Sequence, residues 1–341
     1  MADPGSGRGS PDSGARRPRL GVVGTLVWDT IHLRDGRGDP VEEWGGVSYA
    51  LEALAASLAA HWRIVPILKV GRDLAEPALR FLGEIPRVNP HRAVRIVPEP
   101  NNRVELRYQD DERRCERLSG GVPAWSWEEF WPLAGDCDAL YVNFISGFEM
   151  ELGTAQVLRE AFEGPIYADL HSLFLGIGRH GEREPRPLPL WDSWLRCFDA
   201  VQMNEDEYAL LGRDAGDPWR LAAHVVGPDL KLVTVTMGPR GAAYVAAPDF
   251  SPDTSTWHAM RGQVATAAPA TTRQIDIPGG PREGDVTGCG DVWGATFFAR
   301  LLEGDRIERA IVAANSMAAR NVEHRGARGL HLHLKGRIAR Q

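Results

Sequence analysis

The sequence predicts an α/β fold: a mostly parallel sheet covered by helices, with a small antiparallel sheet projecting from it. Three observations carry this. Short apolar runs that end at glycine or a polar residue alternate with helix-like segments, one stretch switches to two-residue alternation, and a glycine-rich segment late in the chain leads into a helical pattern.

In chain order, residues 1–19 are rich in Gly, Ser, Pro and Arg and lack the apolar stretch of a secretory leader, so they read as a disordered tail. The folded domain is expected over 20–335. Residues 20–24 form a short apolar run stopped by Gly24, with Asp29 just beyond. Trp44, Gly45 and Gly46 then precede Ala50, Leu51, Leu54, Ala55 and Leu58 at helical spacing. The runs 64–70, 139–145, 166–168, 200–203 and 232–236 repeat the pattern, with helix-like segments in most gaps. Such β-α-β units place ligands at the carboxyl ends of strands. Residues 104–108 alternate, turn at Asp110 and Asp111, and return over 113–118, which reads as a hairpin. With 31–33 and 41–44 it would make a lid, its strands drawn from about 31–44 and 94–118. The Pro-rich stretch 184–189 reads as an exposed loop.

With 43% hydrophobic and 25% charged residues, the composition is that of a globular protein, and no apolar run is long enough to cross a bilayer. The net charge of −7 argues against a nucleic-acid or anionic-membrane partner. Cys115, Cys137, Cys197 and Cys289 form no CxxC pair and have no nearby His in metal-ligand spacing, which favours a reducing, cytoplasmic setting, and no structural zinc is expected.

The most specific segment is Gly284-Asp285-Val286-Thr287-Gly288-Cys289-Gly290-Asp291, followed by Val292, Ala295, Ala299 and Leu302 at helical spacing. It puts backbone N–H groups and a partial positive charge at a helix start, a ready anion site. Asp291 there is either a helix cap or a base placed to take a proton from a hydroxyl. Asn204 and Glu207 are spaced as a capping box. Thr236, Gly238 and Gly241 end a strand in what would equally be a hairpin turn. Asp29 is a turn carboxylate or a ligand for hydroxyls.

Residues 285–291 resemble the Asp-Thr-Thr-Gly-Ala-Gly-Asp motif of the PfkB carbohydrate kinase (ribokinase-like) family, with Val286 and Cys289 as departures. The family fold is a three-layer sandwich with a β lid. The resemblance implies Asp291 as catalytic base and the amides of Gly288, Cys289 and Gly290 as the anion hole. It implies substrate contacts from Asp29, Gly45, Gly46 and Asn143. ATP would be held by Asn204, Thr236, Gly238, Gly241 and Asn315, and Mg2+ through water by Glu207. Asp285 and Thr287 match positions that surround a monovalent cation, K+, in some members. Family sugar kinases commonly carry Asn where this chain has Ala50, so Ser48 or Tyr49 would compensate or the substrate would differ. The family's Asp-x-Asn-x-Arg segment is met here only by Asp169, Leu170 and His171, and His171 reads as a polar strand end.

The function implied is transfer of the ATP γ-phosphoryl group to a hydroxyl of a sugar, sugar acid, cyclitol or nucleoside, with a homodimer through the lid. A non-catalytic ligand-binding or regulatory protein on a kinase scaffold is the alternative. A Rossmann oxidoreductase ranks last, because no GxGxxG follows the first strand.

Overall fold

The computed structural model describes residues 16–32, 40–108, 114–211 and 216–336. The proposed hairpin turn at Asp110 and Asp111 and most of the tail lie outside them.

Fourteen strands are present among the described residues: β1 (Arg19–His32), β2 (Val41–Gly46), β3 (Arg63–Gly71), β4 (Val94–Val97), β5 (Arg103–Tyr108), β6 (Arg114–Ser119), β7 (Ala139–Asn143), β8 (Ile166–Asp169), β9 (Leu175–Ile177), β10 (Arg183–Pro185), β11 (Ala200–Asn204), β12 (Leu232–Thr236), β13 (Ala242–Ala246) and β14 (Thr271–Ile275). The main sheet runs β14-β13-β12-β11-β8-β7-β1-β3-β4. It is parallel except where β13 and β14 pair antiparallel at one edge. Its central strands are buried on both faces, so they read as continuous apolar runs.

Helices close both faces. Val47–Ser57, Cys289–Leu302 and Ile307–Asn321 pack together on one side around Leu51, Leu54, Phe297, Phe298 and Ile311. Trp127–Ala134, Leu152–Ala161 and Pro218–Val225 cover the other over Phe130, Leu158, Ala222 and Val233.

β1 departs from expectation. Gly24 does not stop it, and the strand runs 14 residues out of the main sheet into a second, smaller one. There β2 joins it antiparallel, β5 joins it parallel, and β6 pairs with β5 antiparallel. This is the lid sheet, with its own small core of Val27, Ile31, Val104, Leu106 and Leu118. β4 takes no part in it; residues 94–97 extend the main sheet beside β3. The stretch read as a loop at 184–189 begins in strand β10, which pairs with β9. That ribbon is fastened to the lid, since Leu118 donates its amide to the Gly181 carbonyl at 2.8 Å.

Candidate active site

The strand register lines up polar residues that the sequence singled out, with Gln202 between them. Asn143 on β7 faces Asp169 on β8, Asp169 faces Gln202 on β11, and Asn204 faces Thr236 on β12. All lie at the carboxyl ends of neighbouring parallel strands.

Above this row sits the first turn of the helix Cys289–Leu302. Gly288 caps it at φ 73°, a left-handed conformation that favours glycine. A Cβ on Gly288 would lie 2.3 Å from the Tyr49 ring, so the residue must be bare for a second reason. The turn is held down from below: Gln202 Nε2 donates to the Gly290 carbonyl at 3.0 Å, and Tyr167 donates its hydroxyl to Gln202 Oε1 at 2.9 Å. A Cβ on Gly294 would come within 2.1 Å of Gln202 Oε1, so glycine there lets the helix approach the sheet. The Cys289 amide is spent on the Val286 carbonyl at 3.1 Å, which leaves Gly288 and Gly290 as the better anion donors of the expected three.

Asp291 occupies the first turn and accepts a hydrogen bond from Asn143 Nδ2 at 2.7 Å. Asn143 is fully buried and its Oδ1 has no partner among the described residues. Asp169 lies close by, and burial first, then the charges of Asp291 and Glu207, pushes its carboxyl up to about 8.

Asn204 and Glu207 do form the reciprocal cap: Glu207 donates its amide to Asn204 Oδ1 at 2.9 Å, and Asn204 returns its own to Glu207 Oε2 at 2.8 Å. The other Glu207 oxygen meets His171 Nδ1. Burial alone would lower His171, but the Glu207 charge and hydrogen bond outweigh it and raise the imidazole to about 9. His171, at the strand end, is thus a hydrogen-bond partner of Glu207.

On the lid side, Asp29 pairs in register with Glu43 and is buried. A Cβ on Gly45 would fall 1.7 Å from Asp29 Oδ2, so Gly45 makes the space for that carboxylate. Gly46 turns the chain at φ 60° into the helix Val47–Ser57. Burial and then Asp285 raise Glu43 above the usual carboxylate range, against the pull of Arg325. The buried Tyr49 hydroxyl is raised by burial and by Glu43, Asp29, Asp285 and Asp291, which places it among the carboxylates of both halves of the site. Ala50 and Ser48 are buried in the helix packing, Ser48 donating to the Trp44 carbonyl, so Tyr49 alone of the three borders the site.

Two lobes of open space flank the first helical turn. One, of about 910 Å³, is polar and is lined by Asp169, His171, Asn204, Glu207, Gly288 and Asp291. The other, of about 710 Å³, is mainly apolar and lined by Ile277, Pro281, Val286, Trp293, Ala318 and Val322. They share Thr236, Gly238, Val286, Cys289 and Gly290. Gly241 adopts φ 80°, where a Cβ would strike the Ile275 carbonyl at 2.2 Å. Asn315 borders the apolar lobe, but its amide is engaged within the protein. It accepts from Trp293 Nε1 at 2.7 Å and donates to the carbonyls of Ile275 and Asp276.

Asp285 Oδ1 accepts the Thr287 amide at 2.9 Å. Thr287 Oγ1 and Asn321 Oδ1 are buried without partners, while Asn321 Nδ2 donates to the Thr287 carbonyl at 2.8 Å. Among the described residues no three His, Cys, Asp or Glu side chains converge as a metal cluster. Gln202 and Trp293 were missed in the sequence, because neither belongs to a motif. Their one signal was position, Gln202 as the polar residue inside the apolar run 200–203 and Trp293 in the helix after the glycines.

Residues 183–332 match the pfkB family of carbohydrate kinases. No curated protein matches the chain. Among solved structures, a ribokinase from Thermotoga maritima is similar with a TM-score of 0.66 at 16% identity, covering 93% of this chain and 98% of its own. A Burkholderia thailandensis nucleoside kinase solved with inosine gives 0.66 at 17% identity, covering 92% and 93%. A pyrophosphate-dependent kinase in the ribokinase family, complexed with a pyrophosphate analog and myo-inositol, gives 0.64 at 16%, covering 91% and 98%. The family resemblance read in residues 285–291 and the ribokinase-like fold both hold.

Proposed function

With a ribokinase-like fold and a pfkB-type carboxyl-terminal half as the premise, we propose that this chain transfers the γ-phosphoryl group of ATP to a hydroxyl of a small polyol, with Asp291 as base. A sugar, sugar acid, cyclitol or nucleoside would present such a hydroxyl. The observation that carries the reading is the pair of lobes meeting at one helix N-terminus, a mainly apolar one and a polar one containing Asp291. The apolar lobe favours a nucleotide donor over pyrophosphate, which has nothing to bury there.

In this mechanism Asn143 orients Asp291 by its 2.7 Å hydrogen bond, and Asp291 takes the proton as the substrate oxygen attacks. Gly288 and Gly290 amides, with the helix dipole behind them, stabilise charge on the transferring group. Gln202 keeps that turn in place, and Asp29, seated by Gly45, binds substrate hydroxyls. The lid closes over the acceptor and excludes water.

The crowding that raises Asp169 fits a divalent cation, because positive charge would relieve the repulsion among Asp169, Asp291 and Glu207. Both Glu207 oxygens are already hydrogen-bonded, so Glu207 would hold Mg2+ through water. The ion supplies charge neutralisation on phosphate oxygens. The two unpartnered oxygens of Thr287 and Asn321 beside Asp285 support a K+ site. A homodimer through the lid and a cytoplasmic location complete the proposal. For the latter, Cys137, Cys197 and Cys289 are free and no helix among the described residues is long and apolar enough to cross a membrane.

The test is ADP release from ATP and magnesium across sugars, sugar acids, cyclitols and nucleosides, with pyrophosphate as a second donor and potassium against sodium. Release that depends on one acceptor and on ATP supports the reading. ATP binding without release on any acceptor favours a regulatory protein on the scaffold.

A further inference from the structure

At the amino end of the same sheet, opposite the candidate active site, a cleft of about 660 Å³ opens between the starts of β1 and β3 and the residues around the start of β4 and before β7. Six arginines line it: Arg17, Arg19, Arg63, Arg87, Arg92 and Arg95. Asp136 is the one carboxylate in the lining among the described residues, and Arg19 already engages it at 3.2 Å. Arg17, Arg63, Arg87, Arg92 and Arg95 have no carboxylate partner among the described residues, in a protein whose net charge is −7. Concentrating unpaired positive charge in a concave site works against stability unless an anion is there to receive it.

Two further features point the same way. Trp62 lines the cleft, is 9% exposed, and its buried indole N–H has no acceptor. Buried donors are nearly always paired, so an orphan beside a basic cleft marks a place for a ligand oxygen. Arg87, a non-glycine residue held at φ 69°, reaches the carbonyls of Ala59, Leu54 and Ala55. Those bonds fix the guanidinium on the carboxyl end of the helix Val47–Ser57, whose partial negative charge it meets, with no acid beside it among the described residues.

We propose that this arginine cleft is a second binding site, for a small anion carrying several phosphate groups. Planar guanidinium groups match phosphate oxygens in pairs, and several converging from different segments select a compact, highly charged ligand over a single carboxylate. The site is separate from the phosphate site at Gly288, since it lies at the other end of the strands.

Calorimetric titration of the full chain with inorganic tripolyphosphate tests this, beside the triple variant Arg63→Gln, Arg92→Gln, Arg95→Gln. These three side chains are exposed and outside the catalytic machinery, so folding and turnover should be unchanged. The expected result is a saturable site in the wild type whose affinity falls at least tenfold in the triple variant, while ADP affinity at the donor lobe is retained. Trp62→Phe, which keeps the ring packing and removes the N–H, is expected to weaken the site severalfold. Parallel titrations with ADP of both proteins show whether the source is a nucleotide or an inorganic chain; a second ADP site lost in the triple variant assigns the nucleotide. Equal tripolyphosphate affinity in both proteins, or no binding at millimolar concentration, overturns the proposal. So does capture of a 20-nucleotide single strand by a cleft that ignores tripolyphosphate.

Discussion

Asp199, just before β11, and Asp169, at the end of neighbouring β8, are both buried, yet they meet opposite surroundings. Asp199 binds Arg159 at 2.8 Å, Lys231 at 3.2 Å and Arg261 at 2.7 Å, and accepts the Ile166 amide at 2.9 Å. Burial alone would raise its carboxyl; the three cations outweigh that and hold it at about 2. Asp169 has Asp291 and Glu207 for neighbours and is raised to about 8. At the amino end, charge ties β8, β11 and the segment at Arg261 together. At the carboxyl end, like charges are held close at a cost to stability, a pattern that marks candidate functional sites.

The comparison can be broken most forcefully at Asp199. Replacing it with Ala strands three cations in the interior and should cost about 3–5 kcal/mol, the usual scale for removing one member of a buried ion network. Denaturant unfolding reads the loss, and turnover per folded molecule should stay the same. A fall in turnover with unchanged stability would reverse the assignment of roles.

Gly288→Ala comes next. Its Cβ would press on the Tyr49 ring in a left-handed backbone, which predicts about 1–3 kcal/mol of destabilisation together with a reduced kcat/KM. The first group such a side chain would displace is Tyr49, which the fold brings against residue 288.

The pH dependence sharpens the contrast with opposite signs. Asp199, depressed from 3.8 to about 2 when folded, contributes stability above pH 4 that is lost as pH falls toward 2. Asp169, raised to about 8, imposes no penalty below its ordinary value of 3.8, and its cost grows until it is complete above pH 8. Asp169→Asn should therefore raise the unfolding midpoint at pH 8 and leave it unchanged at pH 4. An equal shift at both values would mean that Asp169 is not ionised by folding-linked titration, and the crowding argument would fail.

Much of the carboxyl end was legible in the sequence because its residues are local. Glycine before Asp291 sets a helix start, Asn204 and Glu207 sit three apart, and each apolar run stops where a polar residue reaches the rim. The amino end was not legible, since Arg159, Asp199, Lys231 and Arg261 meet only through the fold and share no periodicity. The course of β1 was hidden for a similar reason. Gly24 reads as a stop, but β3 pairs with the strand through Thr25, and β2 and β5 take it up from Leu26 and Trp28 onward. Gln202 was invisible because its task is to grip a carbonyl 88 residues away.

The central claim is that Asp291 is there for chemistry and not as a cap. It is tested most directly by steady-state turnover of Asp291→Asn on the accepted substrate, with ATP affinity and unfolding measured on the same preparation. The account predicts unchanged ATP affinity, a stability within about 1 kcal/mol of wild type, and turnover lower by about 10²–10⁴. Near-normal turnover in a folded, ATP-binding Asp291→Asn protein would contradict it.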